Sequence, residues 1–187
     1  MRALLIDHDD SFTENLRHWL TPVFSQIDLI SYTNLSEFSD VSIYDLIVFS
    51  PGPKSPSDYA QSLQFLNGLT SSQNVLGVCL GMQMMVEIEG GTIEPYAPPI
   101  HGKSSQLNIL QHEFDHFQNR VVGRYHSLKC NPTQCFQVIA ESTEDQIPMW
   151  IIHTKNKWVG WQFHPESFLT AEPEILQQWL FAWITST

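Results

Sequence analysis

The chain has 187 residues, 42% of them hydrophobic, and a formal net charge of −11 from 20 acidic and nine basic side chains. That length and composition suit one globular domain over residues 1–187 and exclude a disordered chain. So few cations exclude a nucleic-acid surface, which needs a cationic footprint for phosphates, and no apolar run approaches a membrane span.

Ala3-Leu4-Leu5-Ile6 reads as a buried parallel strand. Met1 runs almost directly into it, without the long apolar region and small-residue cleavage site of a signal peptide. Three cysteines, Cys79, Cys130 and Cys135, make an odd count with no close pair. That fits a reducing cytoplasm better than a disulfide framework. The acidic turn Asp7-His8-Asp9-Asp10 reads as solvated turn chemistry complementing a helix dipole, in preference to a metal site. Ser11 and Glu14 have the spacing of a capping box, which predicts a helix from Ser11 with Phe12, Leu16, Trp19 and Leu20 on its apolar face. Residues 27–32 and 44–49 read as the second and third strands. The third runs into Ser50-Pro51-Gly52-Pro53-Lys54-Ser55-Pro56, a stiff loop that cannot pair as a strand. Loops at the carboxyl ends of parallel strands are where open α/β sheets bind ligands. Tyr59, Leu63, Leu66 and Leu69 then predict a helix.

The next stretch organises the rest. Val75-Leu76-Gly77-Val78 is a short apolar strand, Cys79 follows between Gly77 and Gly81, and the apolar run through Met82, Met84, Met85, Val86 and Ile88 predicts a helix. A nucleophile on such a strand-to-helix bend is held out of the sheet, and glycines remove side chains that would crowd it. The helix N-terminus offers free N–H groups that activate a thiol and hold an oxyanion. Gly-x-Cys-x-Gly by itself fits a small buried cysteine at the end of a core strand equally well. Alternating strands and helices up to this point predict a parallel sheet with right-handed crossovers.

After Gly90-Gly91 the pattern changes to shorter strands, at residues 92–94, 105–109, 136–141, 148–153 and 157–163. A last helix covers about residues 173–183, with Ile175, Leu176, Trp179, Leu180 and Trp183 on one face. His112-Glu113-Phe114-Asp115-His116 matches H-E-x-x-H, which places two zinc-binding imidazoles on one helix face in zinc proteases. Its flanks carry no long helical pattern, so it reads as a decoy, and neither a metal nor a cofactor is expected. The last strand delivers His164-Pro165-Glu166. Pro165 holds His164 extended, so His164 and Glu166 face the same side, and a carboxylate beside an imidazole fixes its tautomer as in a catalytic triad. His164 alone would equally suit a turn histidine ending a strand.

Gly-Val-Cys-Leu-Gly-Met-Gln at 77–83 with Gln-Phe-His-Pro-Glu-Ser at 162–167 resembles the class I glutamine amidotransferases. Asp9-Asp10-Ser11-Phe12-Thr13, Ser50-Pro51-Gly52-Pro53, His101-Gly102-Lys103 and Arg124-Tyr125-His126-Ser127-Leu128 follow in the family's order. Together they resemble the glutaminase subunits of the chorismate-using synthases, along the whole chain. The resemblance implies a flavodoxin-like α/β fold: a seven-stranded, largely parallel sheet flanked by helices, with a small antiparallel addition. It implies Cys79, His164 and Glu166 as a triad acting on glutamine. It puts the oxyanion on the N–H groups of Leu80 and Gly52, and the amino-acid end of glutamine on Gln83 and the Ser127-Leu128 backbone. It also implies a separate chorismate-binding synthase subunit as partner, facing the Asp7–Asp10 turn and the Lys54 loop. The chain ends soon after its last helix, so no fused synthase domain is expected. A stand-alone γ-glutamyl hydrolase and a non-catalytic module on the same fold are the alternatives. Two positions depart from the family: Met82 stands where His is usual, and Lys54 where Gly is usual.

Overall fold

The structure is a computed structural model that describes residues 1–38 and 40–186. In chain order its elements are β1 (Arg2–Asp7), α1 (Thr13–Leu20), β2 (Gln26–Ser31), β3 (Leu46–Phe49), α2 (Ala60–Asn67), β4 (Val75–Val78), α3 (Leu80–Ile88), β5 (Thr92–Pro95), β6 (Lys103–Ile109), β7 (Val121–Arg124), β8 (Leu128–Asn131), β9 (Phe136–Ser142), β10 (Pro148–His153), β11 (Trp158–Trp161) and α4 (Pro173–Thr185). One nine-stranded sheet runs β2-β1-β3-β4-β11-β10-β9-β6-β7, and β5 pairs with β8 apart from it. The pairs from β2 to β11 are parallel and those from β11 to β7 antiparallel. The α/β class with a parallel core and an antiparallel addition is as expected from the sequence, but the sheet has nine strands where seven were expected.

The parallel strands are buried on both faces, as their continuous apolar runs require. Alternate side chains feed two cores. Leu5, Val48, Leu76 and Val78 pack with Leu16 and Leu20 of α1 and Leu176 and Leu180 of α4. Leu4, Ile6, Ile47, Phe49 and Val75 pack on the other face, with Leu66 of α2 and Met82 and Met85 of α3. No described helix is long and apolar enough to cross a membrane.

Two local expectations are corrected. The Ser11–Glu14 capping box does not form, and α1 begins at Thr13 without a side-chain cap. Asp10 Oδ1 accepts from Phe12 N–H at 2.8 Å and Asp7 Oδ1 from the Thr13 hydroxyl at 2.7 Å, so the preceding turn holds the helix entry. Strand β3 starts at Leu46, two residues late, because Asp45 Oδ2 accepts from Arg2 N–H and Tyr44 bonds Asp28. His112–Phe117 is a 3₁₀ helix. At three residues per turn, His112 and His116 lie about 120° apart, not on one face. The segment instead buries Phe114 and Phe117 against Trp150.

Candidate active site

Strand β4 ends at Val78 and leads into Cys79, whose backbone is forced to φ 52°, ψ −101°, a conformation costly for any residue with a Cβ. The bend is locked from both sides. Cys79 N–H donates to the Trp161 carbonyl of β11 at 2.7 Å, and Gln83 N–H closes the first turn of α3 on the Cys79 carbonyl. Glycine is required here by space: a Cβ on Gly77 would lie 2.5 Å from the Gly81 carbonyl carbon, and one on Gly81 would lie 2.4 Å from Phe49 O. Leu80 opens α3, so its N–H is among the donors a helix leaves unpaired. Met82 is fully buried over Gly160, whose missing Cβ would meet it at 2.8 Å. Met82 is thus a core side chain and faces no ligand cavity. Cys130 is a core thiol, pushed up to about 12 by burial.

Parallel pairing of β11 with β4 brings His164 to the same edge. His164 N–H donates to Gly123 O, and the Thr170 hydroxyl donates to the His164 carbonyl. His164 Nδ1 lies 2.7 Å from Glu166 Oε1, and these side chains are 2% and 0% exposed. Nε2 has no hydrogen-bond partner among the described residues. Burial alone would lower the imidazole pKa. The charge of Glu166, then the nearby Cys79 sulfur, outweigh it and hold the imidazole well above its ordinary 6.5. Phe12 and Tyr125 flank the ring, with centroids at 5.3 and 5.0 Å.

A cavity of about 200 Å³ opens over the sulfur. Gly52, Cys79, Gln83, Ser127 and Leu128 line it, with Asp10, Lys54, Tyr125 and His126 beside them. Of the expected triad, Cys79 lines the cavity, while His164 and Glu166 are buried behind it. A similar cavity under Leu35, Phe38 and Phe65 is lined by no ionisable side chain among the described residues.

Two buried networks that the sequence did not reveal brace the walls. His8 Nδ1 lies 3.1 Å from Ser50 Oγ and Nε2 3.0 Å from Ser62 Oγ, fixing the loop that carries Gly52. Burial lowers His8 to about 4. On the other wall Arg124 forms a two-point pair with Asp145, and its Nε donates to His126 Nε2 at 3.1 Å. His126 Nδ1–H then donates to the Leu128 carbonyl at 2.8 Å. Burial first, then the Arg124 charge, lowers His126 to about 4, so a neutral ring supports the Ser127-Leu128 backbone. His8, Ser50, Arg124 and His126 lie in stretches the sequence singled out, whereas Ser62 and Asp145 carry no sequence signal. Lys54 is exposed at φ +69°, a left-handed conformation that favours glycine.

Glu89, Cys135 and His153 also converge, away from the cavity. His153 Nδ1 accepts from the N–H groups of Lys155 and Asn156, which puts the ring proton on Nε2, facing Glu89 at 3.3 Å. The ring therefore offers that cluster a hydrogen and not a lone pair, which does not suit a metal.

The sequence matches the family model "Glutamine amidotransferase class-I" over residues 4–183. It is 36% identical over 175 residues to aminodeoxychorismate synthase component 2 of Klebsiella aerogenes, covering 90% of this chain and 93% of the relative. It is 35% identical over 176 residues to an anthranilate synthase of Azospirillum brasilense, covering 91% of this chain but 24% of that longer protein. The crystal structure of a glutamine amidotransferase from Thermotoga maritima superposes with a TM-score of 0.73 at 18% identity, over 98% of this chain and 94% of that one. That likeness is one of fold.

Proposed function

Because the chain belongs to the class-I glutamine amidotransferase family, we propose that it is the glutaminase subunit of a chorismate-using synthase, working as one domain in the cytoplasm without a cofactor or metal. It hydrolyses glutamine to glutamate and passes ammonia to a separate chorismate-binding subunit that makes anthranilate or 4-amino-4-deoxychorismate. The observation that carries this reading is the buried His164–Glu166 pair behind a strained cysteine at the wall of a cavity.

In this reading the Cys79 thiolate attacks the side-chain carboxamide carbon of glutamine. The N–H groups of Gly52 and Leu80 hold the oxyanion. Imidazolium His164 protonates the departing nitrogen as the C–N bond breaks, leaving a thioester on Cys79. His164 then takes a proton from water, the water oxygen attacks the thioester, and the C–S bond breaks to release glutamate and restore the thiolate and imidazolium. Glu166 orients the ring and stabilises its charge. Gln83 and the backbone at Ser127-Leu128 hold the amino-acid end of the substrate. Ammonia is a nucleophile only while unprotonated, so the reading requires a shielded path to the partner. The Asp7–Asp10 turn and the Lys54 loop flank the cavity mouth and are its proposed partner-facing edges.

The test is glutamate release from glutamine, alone and with a chorismate-loaded synthase subunit, for wild type and Cys79→Ala. Partner-stimulated release that vanishes in the variant is expected, and the amine formed identifies the pathway. Equal release with and without the partner would overturn the subunit reading in favour of a free-standing hydrolase. No release in either condition from folded protein would overturn the catalytic one.

A further inference from the structure

Gln162 is fully buried two residues before His164. Its side-chain Nε2 lies 3.5 Å from Cys79 Sγ, and its Oε1 accepts from Gln83 Nε2 at 3.1 Å. We propose that Gln162 is a positioning residue that fixes the Cys79 sulfur by donating an N–H to it, and that it ties the sulfur to the cavity through Gln83. The inference rests on Cys79 being the nucleophile.

Three observations support it. First, Phe163 turns into the core beside Trp161, while Gln162 and His164 on either side of it both lie near the Cys79 sulfur. One short stretch thus supplies two polar neighbours of the sulfur. Second, the segment is anchored: Gln162 N–H donates to Met149 O and His164 N–H to Gly123 O. Third, the two amides run in one direction. Gln83 donates to Gln162, and Gln162 donates to sulfur. The Gln83 carbonyl oxygen has no hydrogen-bond partner among the described residues, and Gln83 lines the cavity. A ligand ammonium bound to that oxygen would polarise the Gln83 amide, and through it strengthen both downstream donors. Occupancy at the amino-acid end of the cavity would then sharpen the thiolate's position before the carboxamide is attacked.

The test reads the sulfur itself. Iodoacetamide modification of Cys79 is followed at pH 7 by peptide-resolved mass spectrometry, which separates it from Cys130 and Cys135. Gln162→Met keeps the length of the side chain and removes the donor. Modification should slow by about threefold to tenfold. Gln162→Glu, which sets an anion beside the sulfur, should slow it further. Independent structural roles for Gln162 and Gln83 would instead make their effects multiply in a double variant. Gln83→Met should slow modification to a smaller degree, and the double variant should be no slower than Gln162→Met alone, as for two residues acting in series. Near-ultraviolet circular dichroism checks that each variant is folded, and if Gln162→Met is not, the Gln83→Met result decides. Rates within about twofold of wild type in folded variants would overturn the proposal. Retention of glutamate release by Cys79→Ala would instead overturn the nucleophile assignment, a separate outcome.

Discussion

Two histidines buried as neutral bases make acid the expected weak point of this fold. His8 sits between Ser50 and Ser62, and His126 between Arg124 and the Leu128 carbonyl; burial is the main cause of lowering each from 6.5 to about 4. As pH falls through 6.5 the unfolded chain takes up a proton at each, while the folded chain refuses it until about pH 4. The unfolded state thus binds more protons across that window, and stability falls with pH. From pH 7 to 5 the loss is about 2 kcal/mol for each histidine. His164 works in the opposite direction. Its raised pKa contributes stability that is fully present below 6.5 and lost as pH rises, which returns less than about 1 kcal/mol over the same interval. Asp145 is held below the usual carboxylate range by Arg124 against its own burial, so its contribution is lost only at lower pH. The net expectation is a loss of about 3 kcal/mol. Urea unfolding at pH 7 and pH 5, followed by tryptophan fluorescence, measures it. His126→Gln offers a donor to Leu128 and an acceptor to Arg124 without a titrating group, and should remove about 2 kcal/mol of the dependence. A wild-type loss below about 1 kcal/mol, or a His126→Gln variant with the full dependence, would refute the reasoning.

Glu166→Gln preserves shape but removes the charge that outweighs burial at His164. The imidazole pKa should fall, readable by NMR titration of the ring, and glutaminase turnover should drop by about 10²- to 10⁴-fold. Gly81→Ala places a Cβ 2.4 Å from the Phe49 carbonyl oxygen, a backbone atom that cannot turn aside. It should cost more than about 2 kcal/mol in urea unfolding, and a cost under about 0.5 would show that α3 moves freely. Lys54→Gly relieves the left-handed strain at φ +69°. It should raise the thermal midpoint by about 2 °C, and a lower midpoint would mean that the lysine side chain makes contacts that outweigh the strain.

Legibility in the sequence followed the range of the interactions. Val75–Val78 and Pro148–His153 were read to their end residues, since runs of Val, Ile, Leu, Met and Trp between turn residues leave little choice. β7 and β8 went unread because each is only four residues long: Val121-Val122-Gly123-Arg124 does not alternate, and Leu128-Lys129-Cys130-Asn131 alternates over too short a run to stand out from a loop. Ser11 and Glu14 had the right spacing for a cap, yet Asp7 and Asp10 were nearer to the donors. At the site, the elbow and the His164–Glu166 spacing are local and could be read from residue types. That the two halves belong together came only from resemblance, because nothing local says that β11 pairs with β4. Gln162, His8 and the Arg124–Asp145 pair depend on side chains meeting across the fold, and composition does not encode such meetings.

The pairing of β4 with β11 also dictates when the molecule becomes competent. Strands β5 to β10 lie between the two in the chain, so the sulfur and the imidazole share a neighbourhood only once that long loop is closed. Closing so long a loop is slow, and helices and hairpins form well ahead of it. During refolding, helical signal should therefore return before any chemistry does, and a chain halted before β11 would carry the Cys79 elbow without His164 beside it.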